Sequence, residues 1–139
     1  MSSILRISEA ANLGIHALVY LALEKECSPC SAGVIAKALE VSESHLAKVM
    51  QRLVAAGMVA STRGARGGFS ITADPDLTSL LTVFEAIDGP ILRSGCLLGR
   101  ETCMVHMCWL AELEGDAIEL VQKHLGSVTL ADVARAPSP

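Results

Sequence analysis

The sequence predicts a mainly α-helical protein with a small β-hairpin wing, arranged as a winged helix-turn-helix followed by a long C-terminal dimerisation helix. Apolar residues recur at helical spacing through most of the chain, and a glycine-rich hairpin pattern interrupts them once. Aromatic residues make up only 3% of the 139 residues, so the core must be aliphatic. We divide the chain into a winged helix-turn-helix region at 1–75, a cysteine loop and dimerisation helix at 76–127, and a C-terminal tail at 128–139 whose last residues we expect to be disordered.

The first two predicted helices lie before position 41. Residues 8–24 are rich in apolar side chains, which predicts a largely buried helix. Cys27 and Cys30 then break the pattern, and Ser31 is a suitable N-cap for a short helix that ends near Glu40. Because no second cysteine pair matches this spacing, we interpret Cys27 and Cys30 as free thiols on a loop, with a supplementary redox role left open.

A third helix is predicted between Ser42, its N-cap, and Gly57. Its apolar residues recur at i, i+3, i+4, i+7 and i+8, which buries one face. These residues are Leu46, Val49, Met50, Leu53 and Val54. The opposite face is polar and basic, so the second and third helices together describe a helix-turn-helix whose second member can enter a DNA major groove.

A β wing follows the third helix. Residues 58–61 and 69–72 are typical of two short strands, and the glycine-rich stretch between them forms a tip that carries Arg63 and Arg66. Arginines at such a tip can reach phosphates or the minor groove, although an ordinary mobile hairpin is the plain alternative. The candidate DNA-contacting residues are therefore Ser42, Ser44, His45, Lys48, Gln51, Arg52, Arg63 and Arg66.

The charge distribution supports a nucleic-acid partner although the total charge does not. The whole chain carries −4, but residues 41–73 contain one acid, Glu43, against four basic residues and carry +3. A basic segment on an acidic body can focus binding on one face. No apolar run of about 18 residues could cross a membrane and no signal-peptide pattern begins the chain, so we expect a cytoplasmic protein that does not enter a membrane.

Two further helices are predicted after Pro75. Residues 77–87 form an amphipathic helix that leads into the cysteine loop. A second helix begins beyond Cys108 and ends near Gly126, with a narrow seam that suits pairing in a homodimer. The seam residues are Leu110, Leu113, Ala117, Leu120 and His124. Packing within the chain is the alternative, but paired recognition helices gain affinity from two half-sites, which favours the dimer.

Cys96, Cys103 and Cys108 form the most distinctive pattern in the sequence. Three thiolates on one glycine-containing segment suit a soft metal or a cluster, which leaves zinc, copper(I) and iron–sulfur clusters open. A structural zinc site could add His106 to the three cysteines. No oxyanion or substrate motif accompanies them, so we do not expect an enzyme.

Several motifs together resemble those of one family, the Rrf-type winged-helix transcription regulators, which include the iron–sulfur regulators IscR, NsrR and RirA. The motifs are residues 17–22, 46–53, 56–59, 63–69 and 85–90, together with the three cysteines. The resemblance implies a homodimeric regulator, with repression favoured, that binds double-stranded promoter DNA. It also implies that a 2Fe–2S or 4Fe–4S cluster controls promoter affinity by sensing redox state, nitric oxide, or iron or cluster supply.

By the same resemblance, Cys96, Cys103 and Cys108 would be the cluster ligands. Some family members use a histidine three residues after the last cysteine, where this chain has Ala111. Others take a ligand from the first helix of the partner subunit, where Asn12 and His16 stand here. Asn12 is a poor iron ligand, so His16 is the preferred fourth ligand and His106 the second. The alternative function is a winged-helix regulator with a structural zinc site or no metal, controlled by a protein or small-molecule partner.

Overall fold

The computed structural model describes residues 7–93, 96 and 108–137. Within these residues there are six helices and one two-stranded hairpin. The elements are α1 (Glu9–Leu23), α2 (Ala32–Ala38), α3 (Glu43–Ala55), β1 (Val59–Thr62), β2 (Gly68–Ile71), α4 (Leu80–Asp88), α5 (Trp109–Ser127) and α6 (Leu130–Arg135). The mainly helical fold with a hairpin wing is therefore confirmed.

Helix α1 forms the centre of the domain and packs against α3, α4 and α6. Its N-cap is Ser8, whose hydroxyl accepts a hydrogen bond from the backbone of Ala11 at 2.9 Å. The largest fully buried side chains of the core are aliphatic or thioether groups, as the low aromatic content predicts. They include Leu18, Ile35, Leu46, Met50, Leu53 and Leu130.

The helix-turn-helix forms because each helix has its own start and stop signals. Ser31 and Ser42 cap α2 and α3 by accepting from backbone N–H groups in the first turn. The turn between the helices passes through Glu40, whose φ of 55° lies in the left-handed region. Helix α3 ends in the same way at Gly57, with a φ of 72°. At both turns, a residue with positive φ follows the end of the helix and lets the chain change direction.

The wing is an antiparallel pair in which Val59 lies opposite Ile71 and Thr62 opposite Gly68. Residues 63–67 form the connecting loop. A Cβ at Gly67 would overlap the carbonyl oxygen of Thr62, so only glycine fits this loop at that position. The predicted hairpin is confirmed, with strands that begin and end within one residue of the expected positions.

The structure differs from the prediction at the start of the fourth helix. The apolar pattern predicts a helix from position 77, but α4 begins at Leu80, after Ser79 caps it by accepting from the Thr82 N–H at 3.2 Å. A turn around Asp74 occupies the preceding residues, with the N–H groups of Leu77 and Thr78 donating to the Asp74 carbonyl. Leu77 is 82% exposed and does not belong to the core.

The C-terminal segment contains a helix that the sequence pattern does not predict. Helix α6 lies in the stretch interpreted as a tail, packs on α1 and buries Leu130 and Ala131. Thr129 and Asp132 form a capping box at its start, with the Thr129 N–H donating to Asp132 Oδ2 at 2.9 Å. This bond, helped by the Thr129 hydroxyl and by Arg135, holds the pKa of the Asp132 carboxyl below its usual value. The last two residues, for which disorder was expected, lie outside the described residues.

None of the helices described, including the 19-residue α5, combines the length and apolarity needed to cross a membrane.

Candidate nucleic-acid interface and cysteine segment

Helix α3 presents one exposed polar stripe. Ser44, Lys48 and Gln51 are all exposed, and their spacing of four and three residues puts them on one face. The opposite face is buried against the rest of the domain. The carboxylate of Glu43, the acid nearest to this stripe along the chain, packs against Gly33 of α2. Lys48 therefore gives the stripe a positive charge.

Three other predicted DNA-contacting residues have partners within the chain. The Ser42 hydroxyl accepts from the His45 N–H at 3.3 Å as the helix cap. His45 Nδ1 lies 3.7 Å from Glu9 Oε1, at the start of α1. Arg52 Nη1 donates to the carbonyl oxygen of Ile87 at 3.1 Å, which joins α3 to the end of α4. These contacts support the position of α3, and Arg52 remains exposed on the same side of the helix as Lys48, four residues before it.

Arg63 and Arg66 lie in the loop of the wing and are both exposed. Gly64, between them, has a φ of 110°, a conformation that favours glycine. The loop follows β1 directly, and β1 follows α3 after a short turn. Two cationic side chains are therefore carried on a small protruding hairpin beside the helix-turn-helix.

The cysteine segment lies between α4 and α5. Cys96 and Cys108 are both half-buried, whereas Cys103 and His106 lie outside the described residues. Cys108 is the N-cap residue of α5, and its side chain makes no capping hydrogen bond there. Within residues 7–93, 96 and 108–137 no three His, Cys, Asp or Glu side chains come together.

The residues that precede this segment are hydrogen-bonded to or packed against α3, α1 and α5. The Arg52 bond described above joins the last turn of α4 to α3. The Ser8 hydroxyl donates to Asp88 Oδ1 at 2.7 Å, which ties the same turn to the start of α1. Further along, Gln122 Nε2 donates to the carbonyl of Ile91 at 3.4 Å, and the guanidinium of Arg93 lies against Gly115 of α5. These contacts were not predicted because the partners are distant along the chain.

Asn12 and His16 lie on the exposed face of α1. His16 Nδ1 is 2.8 Å from the carbonyl oxygen of Asn12. Because a carbonyl only accepts hydrogen bonds, Nδ1 is the donor in this contact, and Nε2 is the ring nitrogen that remains for a metal. A histidine oriented in this way is typical of metal ligands, whose second nitrogen usually donates to a carbonyl or carboxylate.

The interpretation of Cys27 and Cys30 as free thiols is wrong. The structure joins them as a disulfide with a Cα–Cα distance of 5.1 Å. Cys30 is fully buried, and its backbone pairs with that of Phe69 in the wing. The C-x-x-C spacing was the available signal, but the pairing with the wing depends on the tertiary fold.

Helix α5 leaves an apolar stripe uncovered in the single chain. Trp109, Leu113 and Leu120 are 68%, 52% and 69% exposed. Of the predicted seam, Leu113 and Leu120 lie in this stripe and His124 is also exposed. The other two seam residues, Leu110 and Ala117, are half-buried.

Comparisons with known proteins give a consistent result. The family model described as Rrf2, iron-dependent transcriptional regulator, matches residues 7–136. The HTH-type transcriptional regulator IscR of Vibrio vulnificus is 26% identical over 134 residues, covering 93% of this chain and 77% of its own.

Solved structures agree on the fold. The structure of CymR, the global cysteine regulator of B. subtilis, superposes with a TM-score of 0.79 at 29% identity, covering 96% of this chain and 99% of its own. That of T. potens IscR superposes with a TM-score of 0.74 at 23% identity, covering 97% and 94%. The matches include proteins with different regulatory names, so they do not select a signal.

Proposed function

The chain belongs to the Rrf2 family of transcriptional regulators and is a DNA-binding regulator, not an enzyme; we propose that it is a homodimeric repressor that binds promoter DNA with an affinity controlled by an iron–sulfur cluster. The observation that supports control of DNA binding from the cysteine segment is that α4, the helix that precedes this segment, is hydrogen-bonded to the recognition helix α3. Arg52 of α3 donates to Ile87 at the end of α4, six residues before the last described residue that precedes Cys96.

For DNA, the contacts divide between the stripe on α3 and the wing. Ser44, Lys48 and Gln51 have the exposure and common face that a major-groove reading helix needs. Gln51 can pair with a base edge in two-point fashion, whereas Lys48 supplies charge for phosphate. Arg63 and Arg66 are the phosphate or minor-groove contacts of the wing.

The donor set of the cysteine segment fits an iron–sulfur cluster. Cys96, Cys103 and Cys108 supply three thiolates, the ligand type on which such clusters depend. The N-terminal end of α5 carries a partial positive charge beside Cys108, which suits the negative charge of a thiolate-bound cluster. When bound, a cluster would supply a centre that can be oxidised, nitrosylated or lost.

For the fourth ligand we propose His16 of the partner subunit's α1. Support comes from His16, an exposed residue whose Nδ1 lies 2.8 Å from Asn12 O, so that Nε2 is the nitrogen left for a metal. Asn12 lies beside it but offers only a weak amide oxygen. His106 is the alternative.

The chain's own residues provide the connection from the cysteine segment to DNA. Ile87 accepts from Arg52, and Asp88 accepts from the cap of α1, so a displacement of the last turn of α4 pulls on both helices. Arg93 and Gln122 hold the following residues along α5. A change at the cysteines can therefore reach α3 without crossing the wing.

The uncovered stripe on α5 supports dimer formation. Trp109, Leu113 and Leu120 are exposed on one face of α5 at spacings of four and seven residues, which resembles the seam of paired helices. Two such chains would place two recognition helices on one duplex and give half-site recognition.

The experiment that tests the cluster is the iron and acid-labile sulfide content, with a visible spectrum, of protein purified without oxygen. We expect iron and sulfide in comparable amounts. Cys96→Ser and Cys108→Ser should lose both, while the matched control Cys27→Ser, outside the segment, should retain them. Zinc without sulfide would support a structural zinc site. No metal after anaerobic reconstitution would refute the cluster and support control by a partner.

A further inference from the structure

We propose that Cys27 and Cys30 form a reversible dithiol–disulfide pair that exchanges with small thiols and controls how firmly the wing is held. This site is separate from the cysteine segment at 96–108. It lies between α1 and α2, on the side of the wing strand β2 that β1 leaves open. Its effect requires only that the wing contacts DNA, so it does not depend on the cluster.

The loop that carries the disulfide pairs with the free edge of β2 through a single bridge between Cys30 and Phe69. Cys30 N–H donates to Phe69 O at 2.9 Å, and Phe69 N–H donates to Cys30 O at 2.7 Å. The Ser28 hydroxyl donates to the Ser70 hydroxyl at 3.0 Å. Strand β2 is thus held between β1 on one side and the cysteine loop on the other. Because the wing has only two strands of its own, this support is a large part of its attachment.

The cysteine loop lies close to β2 as well as being hydrogen-bonded to it. A Cβ at Gly68 would overlap the backbone carbonyl of Cys30. Gly68 therefore allows the loop to lie directly on β2, two residues from the tip that carries Arg66. A movement of the Cys30 backbone must displace β2 or break its hydrogen bonds.

The two sulfur atoms differ in accessibility, which sets the chemistry. Cys30 is fully buried, while Cys27 is half-buried and lines a cleft of about 500 Å³. The cleft is bounded by the end of α1, by β2 and by α6, and Lys25 is one of its lining residues. A small thiolate can enter and reach Cys27, whereas Cys30 is shielded.

The exchange has two balanced steps. A small thiolate attacks Cys27 Sγ and forms a mixed disulfide; the Cys27–Cys30 bond breaks, and the Cys30 sulfur leaves with the electron pair and takes a proton. A second thiolate attacks the small-molecule sulfur of that mixed disulfide, which forms a small disulfide and releases Cys27 as a thiolate that is protonated. In total, two thiols are oxidised to one disulfide and the protein pair is reduced by two electrons.

Reduction removes the covalent link across the loop and frees its backbone from the position that pairs with Phe69. We expect the wing to be held less firmly, so that its arginines contribute less to DNA binding. The oxidised protein is the form with the ordered wing.

The test uses the full-length protein equilibrated with reduced and oxidised dithiothreitol. Alkylation followed by mass spectrometry measures the Cys27–Cys30 disulfide, and hydrogen exchange measures the Phe69 amide, with the amides of α1 as reference. On reduction we expect faster exchange at the Phe69 and Cys30 amides, which donate to each other's carbonyls, and unchanged exchange in α1. We also expect the salt dependence of binding to a random-sequence duplex to fall by about 0.9 for each phosphate that the wing arginines no longer neutralise.

Cys27→Ser is the first variant because this side chain is partly exposed and Cys30 keeps its buried thiol. It should behave as the reduced protein and no longer respond to the redox buffer. Cys96→Ser should still respond, which separates this proposal from the cluster. The proposal is overturned if the pair stays oxidised in the native protein at every buffer ratio. It is also overturned if reduction leaves Phe69 exchange and DNA binding unchanged.

Discussion

Replacing Arg52 tests whether this residue supports α3 or binds DNA directly. In Arg52→Met the unbranched stem is retained, but the guanidinium bond to the Ile87 carbonyl is removed. Hydrogen bonds that involve a charged group contribute about 1.5–3 kcal/mol, and Arg52 is exposed, so we expect the lower end of that range. The free energy of unfolding should fall by about 1.5 kcal/mol.

The matched variant is Lys48→Met, one turn away on the exposed stripe. Lys48 has no partner among the described residues, so its replacement should leave stability nearly unchanged. As a phosphate contact, however, it should contribute about 0.9 to the slope of log binding constant against log salt. Arg52→Met should leave that slope as it is.

Two assays separate the outcomes. Urea unfolding at one fixed protein concentration gives the stability of each variant, since dimer formation would make the result concentration-dependent. Fluorescence anisotropy with a random-sequence duplex over a range of salt gives the slope. If Arg52→Met lowers the salt slope as much as Lys48→Met and unfolds like the parent protein, Arg52 is a phosphate contact. The proposal that Arg52 links α4 to α3 would then be refuted.

The two left-handed turn positions should respond in opposite directions: Glu40→Gly should stabilise by about 1 kcal/mol in thermal or urea unfolding, and Gly57→Ala, where a Cβ meets nothing within 4 Å, should destabilise by a similar amount. Equal signs for the two changes would contradict the backbone argument. Leu120→Glu should dissociate a dimer built on α5, giving a monomer by sedimentation, whereas an unchanged mass would locate the interface elsewhere. The lowered pKa of Asp132 means that its contribution to stability is present above the ordinary value of 3.8 and is lost as pH falls through the lower folded value. Asp132→Asn should therefore flatten the unfolding profile in that acid range, and a profile identical to that of the parent would refute the capping role.

Local signals made much of this fold predictable. Ser8, Ser31 and Ser42 each precede a stretch with apolar residues at helical spacing, and each one caps a helix in the structure. The glycines of the wing loop identified the hairpin. These features depend on neighbours a few residues away, so the sequence is sufficient to recognise them.

Features that depend on distant partners were not predictable in this way. The apolar pattern of α4 extends back to Leu77, but a turn around Asp74 keeps that residue outside the helix. Helix α6 has only six residues and is stabilised by burying Leu130 against α1. Arg52 was correctly expected on the exposed side of α3, yet its partner lies 35 residues away. In each case a tertiary contact decides what the local pattern leaves open.

Contacts among the described residues lead by two different routes, one from the end of α4 and one from the Cys27–Cys30 loop, to the candidate DNA-contacting elements. Residues after α4 connect through Ile87 and Arg52 to α3, which bears the candidate base contacts. The Cys27–Cys30 loop connects through Phe69 to β2, the wing strand that follows the loop with Arg63 and Arg66. A signal that reaches α3 by the first route would change the position of this helix in the major groove and so alter the preference among DNA sequences. A signal that reaches the wing by the second route would change phosphate contacts and so alter the affinity for all DNA sequences alike. Measuring both specificity and salt dependence for a single cysteine variant therefore identifies which route that cysteine uses.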